Sequence, residues 1–193
     1  MLAMARPRTF EEDRAVEAAM RAFWDAGYEG TSTQDLCAAT GLGRSSIYNT
    51  FDSKRDLYER ALRRYHEERT SALIELMDSD LPAPEKIRTV LWQAVDPQAD
   101  SPAGCLAVNS LVELAPHDPG IAALLRRDGD RRVAALRGAI ELGQARGEIG
   151  ADKDAQALAH FVVATVSGIS VAARGGTGRA TLESIAKTAM TAF

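Results

Sequence analysis

Apolar positions along the chain recur three and four residues apart, the period of a helix with one buried face, and no stretch alternates at the two-residue period of a strand. Glycine and proline cut this pattern into segments, so the expected fold is all-α. The first helix is expected to begin at Thr9, with Glu12 completing a capping box. It buries Val16, Ala19, Met20, Phe23 and Trp24 before Gly27 ends it. Two short helices follow, Thr33 to Thr40 and Arg44 to Asn49. Only Gly41, Leu42 and Gly43 separate them, a joint tight enough for a helix-turn-helix. A long helix is predicted after Ser53, an N-cap with Asp56 at the third position. It carries Leu57, Ala61, Leu62, Tyr65, Leu73, Leu76 and Met77 until Pro82 and Pro84 stop it.

Pro84 suits the first turn of the next helix, striped by Ile87, Val90, Leu91, Ala94 and Val95. Gly104 to Ala115 is apolar on almost every side, which predicts a helix inside the molecule. A helix from about Gly120 to Arg146 carries Ile121, Leu124, Leu125, Val133, Leu136 and Ile140, with the charged cluster Arg126 to Arg132 expected mostly in solvent. Asp152 is the expected cap of a helix running to about Ala173, and the last helix repeats a clean stripe ending in Phe193. These two helices hold more apolar surface than one core absorbs. Phe161, Val162, Val166, Ile169, Leu182, Ile185 and Ala189 are therefore expected to pair with their copies in a second subunit. About nine helices result, in a small unit over 1–52 and a larger one over 53–193, with the long helix from 53 linking the two.

Composition narrows the picture. Among 193 residues, 46% are hydrophobic and 26% charged, the balance of a globular chain rather than a disordered one. No run approaches a membrane span, and MLAMARPRTF lacks the apolar stretch of a secretory signal, so a cytoplasmic location is expected. Cys37 and Cys105 then read as free thiols. The net charge of −4 and pI near 5.5 deny the chain a broad cationic face. Any grip on a polyanion must come from a small local surface.

Such a surface is offered by TGLGRSSIYNTFDSK, residues 40 to 54. Gly41 can take the positive φ of a sharp turn, Leu42 plugs that turn, and Ile47 and Phe51 hold the second short helix to the core. The scaffold residues are thereby accounted for. Arg44, Ser45, Ser46, Tyr48 and Asn49 remain, all hydrogen-bonding side chains at the start of a helix whose dipole favours phosphate.

The longer stretch GYEGTSTQDLCAATGLGRSSIYNTFDSKRDLYERAL resembles the DNA-binding signature of the TetR family of transcriptional regulators, over about residues 9 to 62. It joins a Gly-Tyr helix end, a Thr-Ser cap, the turn glycine, the aromatic pair Tyr48 and Phe51, and Lys54 at fixed offsets. The resemblance implies a dimer that binds double-stranded operator DNA through its N-terminal part and a small-molecule effector through its C-terminal part. It implies that Thr33 and Tyr48 bond phosphates, that Lys54 neutralises another, and that Arg44, Ser45, Ser46 and Asn49 approach bases. Arg6 and Arg8 are expected to reach a minor groove. One departure is Gly43, where many members carry a serine that caps the second short helix.

In the second half, helical spacing puts Cys105, Asn109 and Glu113 on one face of an apolar helix, a few polar groups in an apolar setting that describe an effector pocket. The plainer alternative has Cys105 filling core, Asn109 capping backbone and Glu113 in solvent. A thiol at a helix N-terminus can also be reactive, which would make Cys105 a sensor of electrophiles. Cys37 reads as a small core residue. No metal, cofactor or catalytic set is implied. HEERT, residues 66 to 70, ends in Thr70 where a zinc-protease motif needs its second histidine, and the three histidines lie in separate segments. GLGRSS lacks the last glycine of a dinucleotide loop, and GGTG lacks the Lys-Ser/Thr of a phosphate loop. The competing class is a small helical enzyme or a sensor module that keeps the helix-turn-helix shape without binding DNA.

Overall fold

The computed structural model describes residues 8–96 and 101–193, with side chains from residue 12 onward. Nine helices organise the described residues, and no strand occurs among them: α1 (Arg8–Ala26), α2 (Thr33–Thr40), α3 (Arg44–Thr50), α4 (Lys54–Asp78), α5 (Ala83–Val95), α6 (Leu106–Glu113), α7 (Pro119–Ala145), α8 (Ala155–Arg174) and α9 (Arg179–Met190). The all-α expectation holds, and most boundaries fall within a residue or two of those read from caps and breakers. The cap expected from Thr9 involves a side chain outside the described residues.

Local chemistry explains the starts and stops. Ser53 Oγ accepts the Asp56 amide at 3.0 Å and opens α4. Gly27 ends α1 at φ +80, and a Cβ there would sit only 3.1 Å from Glu113 Oε2, so glycine is needed both for the turn and for that approach. The cap of α8 is Asp154 rather than Asp152: its Oδ1 accepts the amides of Gln156 at 2.9 Å and Ala157 at 3.1 Å, while 151 and 152 form a turn.

Two apolar cores form, and α4 threads both. The first gathers Phe23 and Trp24 of α1, Leu36, Ile47 and Phe51, the N-terminal half of α4, and also Leu106, Ile121, Leu124 and Leu125 from α6 and α7. The second joins Leu73 and Met77 of α4 to α5, the C-terminal half of α7, α8 and α9. The N-terminal helices therefore share a core with the body and do not pack alone.

Three assignments made from periodicity are corrected by packing, and one made from run length is corrected by composition. Asp128, expected in solvent with its charged neighbours, is buried at 7% exposure, because its helical register follows Ile121, Leu124 and Leu125 toward α4. It accepts the His66 Nδ1 hydrogen at 2.6 Å and the Thr70 hydroxyl at 2.6 Å. α6 is not enclosed: Leu111 and Val112 are exposed. Val162, Ile169, Leu182 and Ala189, expected at a subunit interface, are buried in the second core, since α8 packs on α5 and α7 and α9 packs on α5 and α8. Phe161 and Ile185 do remain exposed, together with Val171, and Val166 is half-buried. Finally, α8 is long and apolar enough, on length and composition alone, to span a bilayer, a departure from the expectation that no run approaches a span. Its inner face packs on α5, α7 and α9.

A further cross-link ties the start of α4 to the start of α7. Arg55 donates from Nε to Asp118 Oδ2 at 2.7 Å and from Nη2 to Oδ1 at 2.9 Å, while Asp118 also caps α7 by accepting the Gly120 and Ile121 amides. The Arg55 hydrogen bond, aided by those amides, holds the Asp118 carboxyl down at about 2. A carboxyl depressed on folding adds stability above its unfolded pKa of about 3.9 and loses it as pH falls through the folded value. Stability is thus expected to decline between about pH 4 and about pH 2. Asp118→Asn should make that limb of a urea-denaturation series shallower; an unchanged limb would count against the assignment.

Candidate nucleic-acid interface

Ser32 opens α2 with a reciprocal box: its Oγ accepts the Asp35 amide at 3.2 Å, and Asp35 Oδ2 accepts the Ser32 amide at 2.8 Å. The Ser32 hydroxyl, which donates to Asp35 Oδ2 at 2.6 Å, and with it the Ser32 amide, hold the Asp35 carboxylate below its usual range. Gly41 closes α2 at φ +70 with its amide on Cys37 O at 3.0 Å, and Leu42, half-buried, packs on the first core. Gly43 then leads into α3 in extended conformation with no side-chain cap. Ile47 and Phe51, each 1% exposed, pin α3 from below. Cys37, half-buried against the same core, fits its reading as a small filler.

With those residues facing inward, Arg44, Ser45, Ser46, Tyr48 and Asn49 are all exposed. Tyr48, 42% exposed, brings its hydroxyl within 3.1 Å of Thr33 Oγ1, so the predicted phosphate contacts of α2 and α3 adjoin. The Arg44 guanidinium lies 5.9 Å from the Tyr48 ring centroid, and the Lys54 ammonium rests 4.4 Å above the Tyr28 ring. The structure thus places Arg44, Tyr48 and Thr33 together at the α2–α3 surface and Lys54 at the first turn of α4. Arg6 and the side chain of Arg8 lie outside the described residues.

The three residues predicted for an effector pocket are separated. Cys105 lines a half-open cavity of about 650 Å³ walled by residues of α1 and α4–α8, where its Sγ lies 3.2 Å from the Tyr65 hydroxyl. Asn109 and Glu113 do not line that cavity; they face a groove beside the end of α1. Asn109 Nδ2 donates to Trp24 O at 3.4 Å, a backbone cap. Glu113 is not in open solvent: it accepts the Tyr28 amide at 3.0 Å and the Glu29 amide at 2.7 Å. Arg174 of α8 adds bonds to Trp24 O at 3.1 Å and Asp25 O at 2.9 Å. The end of α1 is thereby clamped by α6 and α8, a role that motif reading missed because these partners lie far along the chain.

A helix-turn-helix whose second short helix turns its polar side chains outward, on a core shared with a helical body that holds a cavity, defines the class of helix-turn-helix regulators. Residues 15–61 match the family described as bacterial regulatory proteins, tetR family, and residues 83–189 match the tetracyclin repressor-like C-terminal domain. The HTH-type transcriptional regulator YezE of Bacillus subtilis is 32% identical over 162 residues, covering 82% of this chain and 84% of that protein. The HTH-type transcriptional repressor ComR of Escherichia coli is 31% identical over 188 residues, covering 96% and 90%. A cysteine-substituted TetR family transcriptional regulator, CifR, solved with 26bp double-strand operator DNA, superposes with a TM-score of 0.84 at 29% identity, covering 98% of this chain and 100% of that one. The chain belongs to the TetR family and is a DNA-binding transcriptional regulator.

Proposed function

We propose that this regulator represses transcription as a cytoplasmic homodimer, without enzymatic activity, by holding two α3 helices in successive major grooves of a palindrome-like operator, about 34–36 Å apart. The unit over 1–52 reads DNA, and 53–193 binds the effector and dimerises, with Phe161, Val166 and Ile185 supplying apolar contacts to the second subunit. Thr33, Tyr48 and Lys54 contact phosphates, whereas Arg44, Ser45, Ser46 and Asn49 face base edges. The observation that carries this is the Thr33–Tyr48 contact at 3.1 Å: it gathers donors from both helices of the motif onto one exposed surface. The related repressor ComR and the operator-bound CifR support the same reading. A small molecule in the cavity would touch Trp24 of α1, whose backbone carbonyl α6 and α8 hold, so occupancy would act on α1 directly.

DNA footprinting beside its own gene supplies the operator, and fluorescence anisotropy then measures affinity as salt is raised. Lys54→Ala is expected to weaken binding to every sequence and reduce the salt slope by about one per protomer. Tyr48→Phe should weaken all sequences alike. Binding to DNA that does not fall with salt would overturn the proposal.

A second effector chemistry is favoured by Cys105, whose thiol lines the cavity. An electrophile entering there would meet it directly. Stoichiometric alkylation of Cys105 should release the operator; an intact complex after labelling counts against it.

A further inference from the structure

Cationic groups and unsatisfied polar atoms line the same cavity. Trp24 is 4% exposed and its Nε1 hydrogen has no acceptor; His66 is 7% exposed, turns Nδ1 to Asp128, and leaves Nε2 without a partner. Buried polar groups are nearly always bonded, and each orphan costs free energy that a ligand atom can recover. Arg69, Arg126 and Arg132 line the same cavity, and no carboxylate among the described residues lies within ion-pair distance of them. Arg69 is laid against its wall by the Trp24 and Tyr65 rings, 5.4 and 5.6 Å from their centroids. Asp128, the one acid in the lining, is already engaged by His66 and Thr70. Most of the remaining wall is apolar, with Leu73, Val90, Leu136, Val162 and Val166, and Gln93, Ser167 and Ser170 add neutral polar groups.

Arg69 and Arg132 are half-buried, and Asp128 is the one acid among the described residues that acts on Arg132; a neutral or cationic ligand closing over them would strip water from two guanidinium groups without supplying a counter-charge, a cost a negative ligand avoids. We propose that the effector is a small organic anion, an apolar body ending in a carboxylate, whose acid group is held by Arg69 and Arg132 and whose oxygen accepts from the Trp24 indole. The volume of about 650 Å³ suits a molecule of drug size. This rests on the reading of the C-terminal half as a sensor, but names the ligand's charge, which that reading leaves open.

Trp24 is itself the reporter, because Trp92 is the only other tryptophan and Trp92→Phe leaves Trp24 alone to fluoresce. Phenylbutyrate, phenylbutanol and phenylbutylamine, and decanoate, decanol and decylamine, are titrated against that full-length variant without DNA. Both carboxylates are expected to change Trp24 emission and to bind about tenfold or more tightly than their alcohols, with the amines weakest. Arg132→Gln and, separately, Arg69→Gln should erase the carboxylate advantage while the alcohols bind as before. Alcohols equal to carboxylates, amines tighter than either, or six compounds that all leave Trp24 unperturbed would overturn the proposal. Carboxylates that bind without releasing operator support the ligand class and overturn only the sensor reading.

Discussion

Arg44→Ala is expected to lower affinity for the preferred operator by about 1–3 kcal/mol per contact, roughly fivefold to 150-fold for each, while binding to unrelated DNA changes much less. The expectation follows from placement. Arg44 is the first residue of α3, is exposed, and has only the Tyr48 ring beside it, with no acid partner among the described residues. A guanidinium so placed is free to take a guanine edge in two parallel bonds, a pairing alanine cannot replace. The salt slope should stay near that of the unaltered protein, since no phosphate contact is lost, in contrast to Lys54→Ala. Anisotropy titrations against the operator and its single-base variants separate the two roles. Equal loss on every sequence would move Arg44 from base reading to backbone contact.

Asp128→Ala is expected to destabilise the fold by about 1–3 kcal/mol for each donor left without an acceptor, because the buried His66 and Thr70 side chains both lose their hydrogen-bond partner. Both carboxylate oxygens are in use, one on His66 Nδ1 and one on the Thr70 hydroxyl, each at 2.6 Å. Without them, His66 would keep no partner at either ring nitrogen, because Nε2 already has none. Burial alone would raise the Asp128 carboxyl, yet the bonds from His66 and Thr70 outweigh it and hold the group below its ordinary range. Its contribution is therefore present above about pH 4 and is lost as pH falls through the depressed value. Urea denaturation at neutral pH checks the magnitude. A loss below about 1 kcal/mol would show the triad to be no more than a satisfied surface-like contact. Asp128 joins α7 to α4 at the cavity wall, so the milder Asp128→Asn should also alter effector binding before it alters the fold.

How legible these features were differs by kind. The helix-turn-helix could be read directly: Gly41 for the turn, Leu42 as plug, Ile47 and Phe51 as anchors, and the outward set between them are settled by neighbours a few residues apart. Asp128 was misread although a signal existed. It stands in register with Ile121, Leu124 and Leu125, and a charge on an apolar stripe points to a buried partner more than to solvent. His66, four residues after Leu62 and seven before Leu73, gave the matching sign on α4. Cys105, Asn109 and Glu113 share a helix face by spacing, but one face of a short helix can meet two different neighbours. Only Cys105 meets the cavity.

The amino-acid order by itself determined the all-helical architecture, the reading motif and the family, because helical period, caps and turn glycines are governed by interactions within about one turn of the chain. Tertiary structure alone decided which apolar residues of α8 and α9 are spent on the chain's own core, and which polar groups clamp α1 to the body. Glu113 finds the Tyr28 amide across 85 residues, and Arg174 finds Trp24 across 150. No local pattern encodes such a pairing: it exists only once several helices have packed, each buried donor and acceptor then bonding whichever group the packing brings within reach.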